Sequence, residues 1–396
     1  MDTKNHLSRH FLGTQPSVLR SIPFAPAGPT DDDGTALKHS LLALADWNQD
    51  SEQHRLSIAD LQVRQKDGSA EGATVQELAS WVSDGSIKSM EVGDLGNGEL
   101  VIVAGSSRGH LNRLRLTSPL APGSDPSEIQ LRGDGDMEGA QLLPWMSLHH
   151  GRVAALDICA ETREVVSAGE DGALFVVPLE STSALQPLVE ARASASCRAV
   201  RWASQQTFVS AGTTGGLEVW DKRRPGRPQL RSPLSWGLSG SPALDAANGL
   251  ERQINCIAAH PSRPHLCATG ASAGTVAIWD LRFTAQPTVH VSPKPGSGEV
   301  WEVHFDGYEI FGSALGGSDP SVLFCTSGGV LGSVPSSPGE SKENASVAEQ
   351  LQPSSVLYEE PCSGIRSFDV DATSGQDLFC TTDQECLVYL SRGARL

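Results

Sequence analysis

The feature that most restricts the fold of this chain is a short unit that recurs along it. Each copy contains an alternating strand, a turn, an apolar strand ending in small residues, a tight turn and a third strand. The clearest copies occupy residues 86–116, 151–179, 197–221, 253–280, 299–334 and 364–390, and a degenerate first copy fits around residues 41–47 and 55–61. Seven such units predict an all-β fold, a seven-bladed β-propeller that occupies residues 1–396 as a single domain.

Segments rich in Gly, Ser and Pro separate some of these units. The three longest, residues 117–147, 225–250 and 335–357, predict surface loops or closing strands flanked by loop. Residues 6–12 are expected to pair beside the last strand of the chain and so join its two ends. The best helix candidate, residues 75–81, fits a strand about as well.

Composition narrows the function. With 30 Lys and Arg against 47 Asp and Glu, the formal charge is −17, which disfavours general binding to nucleic-acid phosphates. The eight cysteines form no C-x-x-C pair and mostly lie in apolar runs, which suits a reducing compartment. The sequence has neither a signal-peptide pattern nor an apolar run near the roughly 20 residues that span a bilayer, so we expect a soluble chain.

Two dipeptides carry a family signature. Trp220-Asp221 and Trp279-Asp280 both end the third strand of a unit, as in WD40 repeats, and the spacing between units exceeds the roughly 40–45 residues of a bare repeat. The Gly-His half of that signature is missing from its usual place in every unit, so the chain resembles divergent WD40 proteins. The resemblance implies that each Trp packs between blades and that each Asp stabilises a turn.

A closer resemblance follows from longer segments. VVSAGEDGALFV, QINCIAAHPSRPHLCATG, GTVAIWDLR and GEVWEVHF are similar to blades of the forty-three-kilodalton nucleoporin family, and DLFCTTDQECLVYLSR is similar to that family's last blade. This resemblance implies a non-catalytic scaffold subunit in the Y-shaped outer ring of the nuclear pore complex at the nuclear envelope. Its expected partners are helical scaffold nucleoporins, and its expected role is to support pore assembly, mRNA transport and protein transport.

Other signals favour structural roles. His149-His150 cannot easily bind one ion, because adjacent strand side chains point to opposite faces, and the pair is expected in a turn entering a blade. Cys380 and Cys386 are expected in the core. Residues 133–139 lack the Lys-Ser/Thr of a phosphate loop. We therefore predict no catalytic residue, metal, cofactor or small-molecule substrate.

The candidate partner contacts are Trp145, Trp236, Arg223 and Arg282. Either Trp could anchor a partner or pack under its own loop. The basic run at residues 222–231 could be a nuclear-import signal, a contact for an acidic partner, or solvated loop charge. Two W-D-x-R segments end at Arg223 and Arg282 and resemble adaptor-docking boxes. The alternative function is therefore a WD40 substrate receptor of a cullin-type ubiquitin ligase, although each Arg could simply pair within the blade.

Overall fold

The computed structural model describes residues 6–23, 36–66, 69–117, 130–133, 141–181, 187–232, 253–285, 287–291, 296–307, 320–335, 355–360 and 362–392. Within these residues the chain forms seven antiparallel sheets, one for each predicted unit. The predicted all-β, seven-bladed propeller is therefore confirmed.

The sheets are built from short strands that follow one another along the chain. In chain order they are β1 (His6–Phe11), β2 (Gln15–Ile22), β3 (Ala36–Asn48), β4 (Gln53–Lys66), β5 (Ser69–Ser83), β6 (Ile87–Asp94), β7 (Glu99–Ser106), β8 (His110–Thr117), β9 (Gln130–Gly133), β10 (Pro144–Ser147), β11 (Val153–Cys159), β12 (Glu164–Gly169), β13 (Ala173–Pro178), β14 (Val189–Arg192), β15 (Cys197–Trp202), β16 (Thr207–Gly212), β17 (Leu217–Asp221), β18 (Leu230–Arg231), β19 (Ile254–Ala259), β20 (Leu266–Ala271), β21 (Val276–Asp280), β22 (Val289–Val291), β23 (Val300–Phe305), β24 (Val322–Thr326), β25 (Val330–Val334), β26 (Ser355–Glu359), β27 (Ile365–Val370), β28 (Asp377–Thr382) and β29 (Cys386–Ser391).

The chain divides into two compact units. The central unit comprises residues 149–365, and the split unit comprises residues 1–148 together with residues 366–396. Four sheets, β11–β14, β15–β18, β19–β22 and β23–β26, belong to the central unit, and each keeps its strands in chain order. The single domain predicted for residues 1–396 remains a prediction.

Burial explains the sequence pattern in the central unit. Second strands such as β12, EVVSAG, and β16, TFVSAG, are buried almost throughout. In β16, Phe208 packs towards the sheet of β12, whereas Val209 and Ala211 pack towards the sheet of β20. Strands covered on both faces read as continuous runs of apolar and small residues, as these do. Between β20 and β21, Gly274 adopts a φ of +72°, and a Cβ there would lie 2.6 Å from the carbonyl oxygen of Gly298. Only glycine fits that tight turn without strain.

Polar contacts join neighbouring first strands of the central unit. The Arg201 side chain of β15 bonds the Asp157 carboxylate of β11 at 3.2 Å and donates to the Ile257 carbonyl of β19 at 3.1 Å. The second Asp157 oxygen accepts the Trp202 amide at 2.7 Å. One arginine therefore fixes the spacing of three consecutive sheets.

The split unit contains the first, second and last sheets of the chain. Its strand orders are β2-β3-β4-β5, β10-β8-β7-β6 with β9 also paired to β8, and β1-β29-β28-β27. Strand β1 pairs antiparallel with β29, with His6 opposite Ser391 and Phe11 opposite Cys386. The predicted pairing of residues 6–12 beside the last strand is confirmed, and the N- and C-terminal strands share one sheet.

The first sheet departs from the repeat. Residues 41–47 and 55–61 lie inside β3 and β4, as predicted, but β3, β4 and β5 are 13 to 15 residues long. Residues 75–81 lie in β5, which resolves the helix-or-strand ambiguity as strand. In the C-terminal half of β4, Leu61 and Val63 belong to the same hydrophobic cluster as Phe379 and Tyr389 of the last sheet. Strand β2 was not predicted, since it precedes the first copy that the repeat pattern marks.

The described parts of the insertions contain closing strands. Strands β9 and β10 lie in the segment 117–147, β18 lies in the segment 225–250, and β26 begins in the segment 335–357. This agrees with the prediction of closing strands flanked by loop. Residues 118–129, 134–140, 233–250 and 336–354 lie outside the described residues.

Candidate interaction surface

The two signature tryptophans are structural. Trp220 and Trp279 end β17 and β21, and both side chains are fully buried. The Trp220 indole N–H donates to Ser210 Oγ at 2.9 Å, and the Trp279 indole donates to Thr269 Oγ1 at 2.9 Å. Each indole therefore satisfies its polar atom inside its own sheet while its ring fills the space between sheets.

Each signature aspartate holds the arginine two residues later. The Asp221 carboxylate accepts from Arg223 Nε at 2.9 Å, from Arg223 Nη2 at 2.6 Å and from the Arg223 backbone N–H at 2.9 Å. Gln229 Nε2 adds a fourth bond at 3.0 Å. The hydrogen bonds from Arg223 hold the pKa of Asp221 well below its usual range.

The second W-D-x-R segment repeats this geometry. Arg282 Nε and Nη2 lie 2.9 and 2.6 Å from the two Asp280 oxygens, and the Arg282 backbone N–H donates at 3.0 Å. Hydrogen bonding to Arg282 lowers the pKa of Asp280. The side chains of Arg223 and Arg282 remain 69% and 61% exposed. In both turns the exposed arginine side chain is already paired with the aspartate of its own segment.

The basic run at residues 222–231 is largely neutralised by the fold. Lys222 Nζ lies 2.6 Å from Glu164 Oε2 and over the ring of Trp202, and Arg231 pairs with Glu218 at 3.2 Å. Arg224 and Arg227 are exposed, and their side chains make no ion pair or hydrogen bond with another described residue. Within this run, Arg224 and Arg227 match the solvated loop-charge interpretation, whereas Lys222, Arg223 and Arg231 are paired with carboxylates.

The two tryptophans predicted as partner anchors have different outcomes. Trp145 lies in β10, is 5% exposed, and packs under the Arg113 guanidinium with 4.6 Å between the guanidinium carbon and the ring centroid. This matches packing within the sheet rather than an exposed anchor. Trp236 lies outside the described residues.

The histidine pair at residues 149–150 belongs to the turn entering the sheet of β11, as predicted. The buried His149 ring bonds Ser167 Oγ at 2.9 Å and the Asp171 carboxylate at 3.4 Å. The His150 backbone N–H donates to Asp171 at 2.9 Å. Burial lowers the pKa of His149. Ser167 occupies the same register position as Ser210 in the next sheet, so a histidine here takes the place of an indole as the hydroxyl's partner.

The cysteines are free thiols at mixed depths. Cys380 is buried, as expected, whereas Cys386 is half-buried and Cys362 is exposed. No group of three or more His, Cys, Asp or Glu side chains within the described residues is placed to hold a metal. In the same part of the chain, no helix is both long and apolar enough to cross a membrane.

Comparison with known proteins shows which proteins this chain is similar to. The family model "WD domain, G-beta repeat" matches residues 248–280. The chain is 29% identical over 364 residues to "Nuclear pore complex protein NUP43" of Arabidopsis thaliana, which covers 88% of this chain and 90% of that protein. The chain is a WD40-type β-propeller that is similar to the Nup43 nucleoporins. The predicted resemblance is thereby confirmed.

Two animal proteins support the same relationship over a shorter stretch. "Nucleoporin Nup43" of Homo sapiens is 29% identical over 142 residues, which is 36% of this chain and 33% of the human protein. The Mus musculus protein of the same name is 27% identical over 148 residues, or 37% of this chain and 35% of that protein. The similarity to the plant protein thus spans nearly the whole fold, whereas the animal proteins match about a third of it.

Proposed function

We propose that this chain is a non-catalytic scaffold subunit of the nuclear pore complex that acts through protein–protein contacts. The observation that carries the proposal is the similarity to a nuclear pore protein over 88% of the chain and 90% of that relative. Such coverage includes both compact units, so it concerns the whole fold rather than a single shared repeat.

The geometry supports a binding role over a catalytic one. The signature Trp and Asp side chains are satisfied within their own sheets, and the His149 network is closed by Ser167 and Asp171. Polar groups that are this fully bonded stabilise a rigid body, which suits a subunit that presents surfaces to partners. We propose helical scaffold nucleoporins of the Y-shaped outer ring as those partners, and the nuclear envelope as the site of action.

The ligase-receptor alternative receives no support from these relatives. The W-D-x-R segments that suggested it form closed turns in which Arg223 and Arg282 bond their own aspartates. Their side chains remain exposed, so both arginines stay candidate partner contacts for either function. Trp145 is the weaker candidate, since it is almost fully buried.

Affinity purification of the tagged endogenous protein tests the assignment. We expect helical scaffold nucleoporins as stoichiometric companions in mass spectrometry, and a fluorescent fusion at the nuclear rim. Enrichment of a cullin adaptor without pore subunits would reject the pore proposal. An Arg223→Lys, Arg282→Lys double variant serves as the matched comparison, because it keeps both charges and loses the two-point guanidinium geometry. Loss of companions from this variant alone would assign the contact to these turns.

A further inference from the structure

Two neighbouring sheets of the central unit, β15–β18 and β19–β22, are charged oppositely to the chain as a whole. Their described residues, 197–232, 253–285 and 287–291, contain nine Lys and Arg against three Asp and Glu, a formal charge of +6, whereas the whole chain carries −17. Physiological salt screens interactions between exposed charges beyond about 8 Å, so a local excess of one sign decides the local potential. A partner that approaches these two sheets therefore meets a cationic surface.

The turns of the two sheets meet at one end of the central unit. In an antiparallel sheet the first and third strands run the same way, so the turns that follow them lie along one edge. The Arg198 side chain of β15 bonds the Asn255 side chain of β19 at 3.0 Å, and Arg201 bonds the Ile257 carbonyl of the same strand at 3.1 Å. Strands β15 and β19 therefore run in the same direction, which places the turns of both sheets side by side.

These turns contain cations and no acidic residue. They comprise residues 203–206, 222–229, 260–265 and 281–285, which contain six Lys and Arg and neither Asp nor Glu. Five of the six cations are exposed, namely Arg223, Arg224, Arg227, Arg263 and Arg282. Together with the exposed Phe283, these five arginines form what we name the arginine surface.

The carboxylates near this surface do not cancel its charge. The two signature aspartates pair with Arg223 and Arg282, but their side chains are only 5% and 12% exposed, whereas those of the two arginines are 69% and 61% exposed. In the part of the chain that the structure describes, the side chains of Arg224 and Arg227 have no ion pair or hydrogen bond. An incoming carboxylate therefore meets two arginines that no acidic side chain of the chain neutralises.

The turns are held in place before any partner binds. Residues 222–229 and 260–265 each contain two prolines, which fix the backbone φ angle at those positions. His260 Nδ1 accepts the backbone N–H groups of Ser262 and Arg263, both at 3.1 Å. Because binding costs less conformational entropy when a surface is already ordered, rigid turns of this kind suit recognition.

Apolar side chains adjoin the cations. Phe283 is 72% exposed, and the guanidinium carbon of Arg282 lies 5.9 Å from the centre of its ring. Leu230, which is 40% exposed, begins β18 directly after residues 222–229. Arginine and aromatic residues are enriched among those that contribute most to protein–protein binding. The arginine surface thus offers a partner both charge and apolar area.

We propose that the arginine surface binds an acidic segment of a partner protein that also carries an apolar residue. Carboxylates of the segment bond Arg224 and Arg227, and its apolar side chain packs on the Phe283 ring. Packed sheets lie about 10 Å apart and an extended chain rises about 3.3 Å per residue, so the acidic and apolar residues are about three positions apart. The inference deepens the proposed function and rests on it only for the identity of the partner as a pore subunit.

An acidic protein segment fits this surface better than a polynucleotide does. With +6 in the two sheets, the remainder of the chain carries −23. A polynucleotide places phosphates at regular intervals along its length, so those beyond the two sheets would be repelled by the remainder of the chain. A protein segment can confine its carboxylates to the few residues that meet the arginines.

Fluorescence anisotropy on the purified full chain tests the site. The probe is a fluorescein-labelled eight-residue peptide with leucine at the fifth position and glutamate elsewhere, and its control has glutamine in place of every glutamate. We expect only the glutamate peptide to bind. The Arg224→Glu, Arg227→Glu double variant should weaken binding at least tenfold, because it reverses two charges of the surface, and Phe283→Ser should weaken it about threefold.

A matched variant controls for the change in net charge. Arg64→Glu with Arg108→Glu reverses two exposed cations of the split unit and alters the net charge by the same amount. It should change the Kd less than twofold. Circular dichroism confirms that each variant is folded, so a loss of binding is not a loss of structure.

Three outcomes would overturn the proposal. The first is no binding of the glutamate peptide at 1 mM, and the second is an equal loss from both double variants, which would show unspecific charge attraction. The third is tighter binding of an eight-nucleotide thymidine oligonucleotide than of the peptide, which would show a nucleic-acid surface. The peptide assay uses the isolated chain, so its failure leaves the purification result at the nuclear pore unchanged, and absence of pore subunits from the purification leaves the peptide result unchanged.

Discussion

Replacement of Lys38 by Met should destabilise the split unit by removing a half-buried cation that faces two buried carboxylates. Lys38 extends from β3 and places Nζ 2.5 Å from Asp377 and 3.4 Å from Asp371, whose carboxylates are 1% and 4% exposed. The Tyr389 hydroxyl donates to the same Asp377 oxygen at 3.0 Å. The Lys38→Met side chain keeps the length of the stem but leaves two buried carboxylates without their ammonium.

The expected loss is about 3 kcal/mol in the free energy of unfolding at pH 7. Breaking a buried ion pair by removing one partner costs about 3–5 kcal/mol, and Lys38, which is 25% exposed, belongs at the lower end. A loss of this size is a large part of the roughly 5–15 kcal/mol that stabilises a typical protein. The matched control is Glu170→Gln, which removes the exposed Arg152–Glu170 pair and should cost less than about 1 kcal/mol.

The pH dependence of this loss identifies its origin. Burial alone would raise the pKa of Asp371, but hydrogen bonds from Ser374 and the charge of Lys38 lower it below its ordinary value. A lowered carboxyl pKa stabilises the folded state above the unfolded pKa, near 3.9, and that contribution disappears as the pH falls through the folded value. The deficit of Lys38→Met should therefore be largest at pH 7 and shrink below pH 4.

At high pH the stabilisation from this ion pair is lost, because the Lys38 ammonium loses its proton. Burial would lower the pKa of Lys38, yet the charge of Asp377 and its hydrogen bond raise it above 10.5. The stabilisation is thus fully present below about pH 10.5 and is lost as the pH rises through the folded value. Urea denaturation followed by fluorescence at pH 3, 5 and 7 gives the acid limb. A deficit under 1 kcal/mol at pH 7, or one that stays constant to pH 3, would refute the electrostatic explanation.

Three further perturbations test other parts of the fold. Ser210→Ala leaves the buried Trp220 indole without its acceptor and should cost about 1–3 kcal/mol in urea denaturation; a neutral result would contradict the assigned hydrogen bond. Burial raises the pKa of the Cys197 thiol to about 12. The buried neutral thiol therefore stabilises the folded state below the unfolded thiol's pKa, and this stabilisation is lost as the pH rises toward 12. Relative to Cys197→Val, the wild type should lose about 1.4 kcal/mol between pH 8 and 10, and a constant difference would disprove thiol burial. Maleimide should label exposed Cys362 in the native protein well before buried Cys197, as mapped by peptide mass spectrometry; equal labelling rates would contradict the different depths of the two thiols.

Much of the fold follows from local patterns in the sequence. Continuous apolar runs ending in small residues correctly identify second strands such as β12 and β16, because both faces of these strands are buried. The pairing of β1 with β29 follows from the need to satisfy an open sheet edge. Strand β2 was missed because its sequence, QPSVLRSI, combines polar and apolar residues in a way that only its neighbours explain.

The candidate site was less predictable, because it depends on contacts between distant residues. Each W-D-x-R segment suggests an exposed docking arginine, yet its geometry depends on the aspartate two residues earlier, which holds the guanidinium. The place of Trp145 in an insertion suggests an anchor, yet the structure buries its ring and places Arg113 over it, a contact that the sequence does not indicate. The hydroxyls at Ser210 and Thr269 do carry a signal, since each lies at the same register position of its second strand.

Some equivalent positions of the repeat serve the stability of the sheets, and others are available for binding. Where the position is buried, the residue type is restricted: Ser167, Ser210 and Thr269 all supply a hydroxyl to an aromatic or imidazole partner. At the bulge of the first strand the residue type is less restricted. The extra residues there are Ser17, Lys88, Ala154, Arg198, Asn255 and Trp301. A bulge residue is released from the pairing of its strand, so its residue type varies more widely, although Ser17 and Asn255 each bond the first strand of the next sheet. Differences in binding between related propellers should therefore concentrate at these six positions.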